Sequence, residues 1–149
     1  MLAMREADDK NGNANIRTPI LEPGVYEVPF GLTVRQLIQM AGGVVGKEIQ
    51  AVLLGGAAGA FIGPRRLDTP LTYEDARAQG FPLGSGVIMV FDEAVDLREI
   101  MYMLARFFAH ESCGKCYPCA LGTQRQLEIM ERMLGYGSLR ADDIQTLHD

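Results

Sequence analysis

Cys113, Cys116 and Cys119 fall within seven residues, and the sequence contains no other cysteine. They form the run Cys113-Gly114-Lys115-Cys116-Tyr117-Pro118-Cys119, a C-x2-C-x2-C spacing. Thiolates three residues apart on a tight loop reach one side of it, where each can ligate a separate iron of a cubane cluster. Pro118 stiffens such a loop, and Gly114 lets the backbone approach inorganic sulfide closely. The chemistry implied is electron transfer at a [4Fe–4S] cluster, with Cys113, Cys116 and Cys119 as its metal- and cofactor-binding residues. A cubane takes four ligands as a rule and this sequence supplies three thiolates, so the set is incomplete on its own.

Other uses of these cysteines compete. Disulfides are disfavoured, because an odd and clustered set closes only trivial loops. Zinc is a real alternative, since three thiolates with His110 or His148 make a Cys3His site, although zinc ribbons usually set two C-x2-C halves well apart. Inert structural thiols are a third possibility. The spacing differs by one residue from the C-x3-C-x2-C of radical-SAM enzymes. It also lacks the x3-C-P continuation of two-cluster ferredoxins, since Thr123 and Gln124 stand there. His110 either tunes a cluster by hydrogen bonding or simply ends a helix, where its charge suits the C-terminal dipole; the second reading is preferred. Lys115 and Arg125 raise a nearby cluster's potential or act as solvated charges only. The stretch Gly55-Gly56-Ala57-Ala58-Gly59 lacks the spacing, the lysine and the following helix of a phosphate loop. No nucleophile–base pair stands out, and no catalytic residue is assigned.

Composition sets the context. The chain has 149 residues, 48% of them hydrophobic and 22% charged, which suffices for a core. A formal charge of −5 and the lack of a Lys/Arg stripe argue against nucleic-acid binding. The run Ala51–Gly63 is 13 residues broken by four glycines, too short to span a bilayer. The N-terminus has no apolar segment of a signal peptide. These features read as a soluble cytoplasmic protein with no direct membrane insertion.

The elements that position the cysteines follow from periodicity. Residues 1–15 lack it and read as a flexible tail or linker. A strand over Asn15–Leu21, the turn Glu22-Pro23-Gly24 and a strand over Val25–Val28 make a hairpin. Thr33 caps a helix with Val34, Leu37, Ile38 and Ala41 on one face, stopped by Gly42-Gly43. Strands follow at Ile49–Leu54 and near Ala60–Ile62. Thr72 and Asp75 cap a short helix that ends at Gly80, and the apolar run Val87–Phe91 reads as a buried central strand. This is the element order of a β-grasp (ubiquitin-like) domain over residues 16–93, and the fold class is α+β. From residue 94 to 149 the pattern is helical and reads as an incomplete helical bundle. Leu97, Ile100, Met101, Leu104, Phe107 and Phe108 form one stripe. A second helix runs from about Ala120 to Leu134 with Leu127, Met130, Met133 and Leu134 on a face, and a third begins at Ala141. The methionines read as core filler.

Taken together, Ala109-His110-Glu111-Ser112-Cys113-Gly114-Lys115-Cys116-Tyr117-Pro118-Cys119 and the following Gly122-Thr123 resemble a family signature. The family is the NADH-binding flavoprotein subunit of respiratory complex I, with the related diaphorase subunits of NAD-reducing hydrogenases and NAD-dependent formate dehydrogenases. Glu22–Val28, Gly42-Gly43, Gly55-Gly56 and Leu83–Val90 resemble that family's SLBB domain, a β-grasp module. The resemblance covers about residues 16–149. It implies that the three cysteines are cluster ligands, and that the family's fourth cysteine falls past Asp149. It also implies that the domain binding FMN and NAD(H) precedes residue 1, so that the chain is an electron relay and not itself an NADH oxidase. Partners would be the other subunits of a multi-subunit oxidoreductase, including a ferredoxin-like iron–sulfur subunit. The terminal substrate of the parent complex, whether quinone, formate or hydrogen, is left open. The alternative is a non-catalytic β-grasp module that binds a ligand or protein and holds a structural zinc at the cysteines.

Overall fold

Thr33 is in extended backbone (φ −84°, ψ 159°) and starts helix α1, Val34–Met40. Its hydroxyl accepts from the Gln36 N–H while the Gln36 side chain accepts from the Thr33 N–H, a reciprocal capping box that satisfies two otherwise orphaned donors. Val34, Leu37, Ile38 and Ala41 are all buried, as the i, i+3, i+4, i+7 spacing predicts. Gly42 and Gly43 follow at φ 81° and 80°, a backbone region open to glycine, and end the helix.

The computed structural model describes residues 2–4 and 19–148, with side chains for 19–147. Two units divide between Val95 and Asp96. In the first, five strands are described: β1 (Leu2–Met4), β2 (Val25–Tyr26), β3 (Ile49–Leu54), β4 (Ala60–Ile62) and β5 (Val87–Asp92). They form one mixed sheet in the order β2-β1-β5-β3-β4, in which only β1 and β5 run parallel. Helix α2, Tyr73–Ala78, is capped by Thr72, whose hydroxyl accepts from the Asp75 N–H and donates to the Asp75 carboxylate. The fold is therefore α+β.

Both faces of the central strands are apolar, for a reason visible in the register. Val52 pairs with Val90 and Leu54 with Ile88, and these four join α1 in one core with Ile62, Leu67, Leu71 and Phe81. The opposite face carries Ala51, Leu53 and Phe91, also buried, with the Phe61 ring 6.0 Å from that of Phe91. A strand buried on both faces reads as a continuous apolar run and not as an alternation, which is the pattern of Val87–Phe91. Each fully buried leucine here contributes about 1.5–3 kcal/mol through loss of water contact.

Two expectations change. Val25–Tyr26 pairs with Leu2-Ala3 and not with the described residues 19–21 of the expected first strand, and β1 also joins β5. Leu2–Met4 thus departs from the expected tail or linker. Residues 1 and 5–18, including most of that tail and the start of the expected first strand, lie outside the described residues. Ile20 forms an isolated bridge with Val44. The cause is long-range pairing: β5 has β3 on one side, and the short apolar stretch Leu2-Ala3-Met4 satisfies its other edge, a partner that turn chemistry cannot reveal.

The second unit is helical: α3 (Leu97–Glu111), α4 (Tyr117–Tyr136) and α5 (Ala141–His148). Asp96 caps α3, its carboxylate accepting from the Arg98 N–H and forming an ion pair with the Arg98 guanidinium. Ala105 of α3 packs with Ile129, Met130 and Met133 of α4, and Tyr102, Leu127 and Leu139 lie against this cluster. The buried stripes are narrower than expected: Met101, Phe107 and Leu134 are exposed, while Ala105 and Ile129 are buried. Gly137, at φ 74°, ends α4 in a left-handed cap whose N–H reaches the Met133 carbonyl.

Candidate cluster-binding site

Cys113 and Cys116 lie in the connection between α3 and α4, and Cys119 in the first turn of α4. Helix α3 ends at Glu111, and Ser112 caps it in extended backbone (φ −62°, ψ 123°) with its N–H donating to the Phe108 carbonyl. Cys113 follows, then Gly114 at φ 71°, a conformation that a side chain strongly disfavours. A Cβ built on Gly114 would meet no protein atom within 4 Å, so the space beside this backbone is open. Cys116 is the N-cap of α4 (φ −98°, ψ 109°), and Cys119 stands in the first turn.

This placement differs from the expected helix start near Ala120. Helix α4 begins at Tyr117, with Pro118 in its first turn, where its missing N–H costs nothing and its fixed φ suits the helix. Pro118 was therefore the signal for the true start. The helix runs for 20 residues, and no side chain caps its N-terminus. Orphan backbone donors and the positive end of the helix dipole thus lie beside Cys116 and Cys119, an environment suited to a negatively charged group.

The three thiols are free and exposed. The Cys119 sulfur lies 3.8 Å from the Ser112 hydroxyl, and the Cys119 carbonyl accepts from the Thr123 hydroxyl at 2.9 Å. Sequence reasoning missed Ser112, because the contact spans seven residues and depends on where α4 starts. His110 is in the last turn of α3, highly exposed, with Nδ1 3.0 Å from Glu111 Oε1. Arg125 pairs with Glu128 at 2.6 Å along α4. Among the described residues no group of three or more His, Cys, Asp or Glu side chains is arranged around a single metal ion. A cubane makes a different demand, since its thiolates bind separate irons and need not converge on one point. The donor set, the open space at Gly114 and the uncapped helix start fit part of such a cluster. Exposed Phe107, Tyr117 and Leu121 stand on the same two helices.

Comparison with known proteins shows what this chain is similar to. Residues 99–149 match the NADH-ubiquinone oxidoreductase-F iron-sulfur binding region. NADH-quinone oxidoreductase-F of Streptomyces coelicolor is 37% identical over 128 residues, 85% of this chain and 28% of that protein. Its Escherichia coli counterpart is 35% identical over 130 residues, 86% of this chain and 29% of that one. The NADP-reducing hydrogenase component HndC of Solidesulfovibrio fructosivorans is 36% identical over 121 residues, 80% of this chain and 25% of that protein. This chain therefore spans less than a third of the length of these relatives. Among solved structures, an NAD+-reducing [NiFe]-hydrogenase in the H2-reduced state matches with a TM-score of 0.74 at 33% identity, covering 87% of this chain and 22% of that one. Among the described residues no helix is long and apolar enough to cross a membrane.

Proposed function

We propose that this chain, a relative of the iron–sulfur-binding part of NADH-quinone oxidoreductase-F, relays single electrons through a [4Fe–4S] cluster held by Cys113, Cys116 and Cys119. The observation that carries the reading is three free, exposed thiols at the uncapped start of a 20-residue helix, inside the segment that matches the iron–sulfur region. When bound, such a cluster supplies reversible one-electron storage. The chain's own contribution is placement. Gly114 and the first turn of α4 would present the three sulfurs along one seven-residue stretch, where the helix dipole would offset their negative charge. The sequence has three cysteines, so the fourth iron takes a ligand from another source.

The first unit serves as a β-grasp domain of the SLBB type. Its strand order β2-β1-β5-β3-β4, with α1 between β2 and β3, supports that reading. Electrons arrive from a flavin (FMN) reduced by NAD(H) on another domain, and leave towards a ferredoxin-like iron–sulfur subunit of the same assembly. The exposed Phe107, Tyr117 and Leu121 suit a surface covered in such an assembly. A cytoplasmic setting keeps the three thiols reduced until iron arrives.

The test is anaerobic reconstitution with iron and sulfide, followed by metal analysis and electron paramagnetic resonance of the reduced protein. Iron and sulfide near four of each per chain with a reduced-cluster signal are expected for a cubane. Cys113→Ser, Cys116→Ser and Cys119→Ser should each lose most of that signal. One zinc per chain without sulfide would instead establish a structural zinc site.

A further inference from the structure

We propose that the Ser112 hydroxyl donates a hydrogen bond to the Cys119 sulfur and raises the reduction potential of the cluster. The inference rests on the cluster assignment above and names a positioning residue for it. The two atoms lie 3.8 Å apart, within reach for a sulfur acceptor. The backbone of each partner is held in place. Ser112 is fixed as the cap of α3 by its N–H bond to the Phe108 carbonyl, and Cys119 by the first turn of α4 and the Thr123 hydroxyl on its carbonyl. The two helices are held together by Ala105, Ile129, Met130 and Met133.

Between a hydroxyl and a neutral thiol either group can donate, but an iron-bound thiolate has no proton, so Ser112 must be the donor there. Adding one electron makes the cluster and its cysteine sulfurs more negative by one charge in total, with no proton transferred. A donor gains more from the more negative sulfur, so the reduced form is stabilised over the oxidised one. Cys113 and Cys116 have no side-chain hydroxyl contact of this kind among the described residues, so the effect is directed at Cys119.

Ser112→Thr and Ser112→Val have nearly the same shape and differ by the hydroxyl, and they provide the decisive comparison. Midpoint potentials of the reconstituted chain are read by redox titration followed by electron paramagnetic resonance. Ser112→Thr should match the wild type. Ser112→Val and Ser112→Ala should shift the reduction equilibrium towards the oxidised form by roughly three- to tenfold, where tenfold corresponds to about 59 mV for one electron. Equal potentials in Ser112→Thr and Ser112→Val, with the cluster present in both, would overturn the role of Ser112 alone. Failure of the wild type to take up iron and sulfide would overturn the cluster assignment and this inference with it.

Discussion

The guanidinium of Arg132, on α4, donates to the carboxylate of Asp143 in the first turn of α5. Asp143 is the one buried polar residue among the described residues, and its second carboxylate oxygen accepts from the Arg140 N–H at 3.1 Å. One carboxylate thus joins two helices and caps the start of the second. The Arg132 hydrogen bond, the largest influence, holds the Asp143 carboxyl below the usual carboxylate range, with the Arg140 N–H and charge acting in the same direction.

Asp143→Ala is therefore expected to loosen α5. Amide exchange of residues 141–147 should quicken, while amides in the middle of α3 and α4 keep their protection. The carboxyl's pKa is lower in the folded than in the unfolded state. Its contribution is present above the ordinary carboxylate value and is lost as pH falls through the depressed one. Asp143→Asn should flatten the acid limb of a pH series of thermal melts, and an unchanged acid limb would show that the pair does not couple to folding.

Gly59 closes the turn between β3 and β4 at a distance no side chain tolerates. A Cβ there would fall 1.7 Å from the Leu54 carbonyl oxygen and 2.9 Å from that of Gly56, both backbone atoms. Gly59→Ala must displace the turn, at a cost of about 1–3 kcal/mol. Gly63→Ala is the control, since nothing lies within 4 Å of its Cβ. Denaturant melts of the two variants should differ in midpoint, with Gly63→Ala near the wild type.

Thr33→Ala removes one half of the capping box at α1 and should cost about 1 kcal/mol. Helix α1 supplies Val34, Leu37 and Ile38 to the core of the first unit, so the loss should appear as a cooperative shift of its melting and not as local fraying. Thr33→Ser, which keeps the hydroxyl, should recover most of it.

Local signals in the sequence were enough for the elements whose physics is local. Thr33 with Gln36, the glycine pair after α1, and the apolar runs at Ile49–Leu54 and Val87–Phe91 identify α1, β3 and β5 closely, because caps, periodicity and turn residues act within a few residues. The C-x2-C-x2-C run was legible for the same reason. Helix α4 starts at Tyr117, three residues before the expected Ala120, because Pro118 suits the first turn of a helix as well as a loop.

What the chain by itself determined is the chemistry on offer: three thiols at fixed spacing, with no fourth cysteine in the sequence. Tertiary structure alone decided which segments meet. The pairing of Leu2-Ala3 with Val25–Tyr26 and the union of β1 with β5 join residues far apart in sequence, where no local pattern records a choice of partner. It also decided that Ala105 and Ile129 are buried while Phe107 is exposed, since the packing of α3 on α4 selects the face. The same packing brings the cap of one helix, Ser112, to the first turn of the next, at Cys119. Residue types and spacing supply the ligands, and the meeting of two helix ends supplies the environment around one of them.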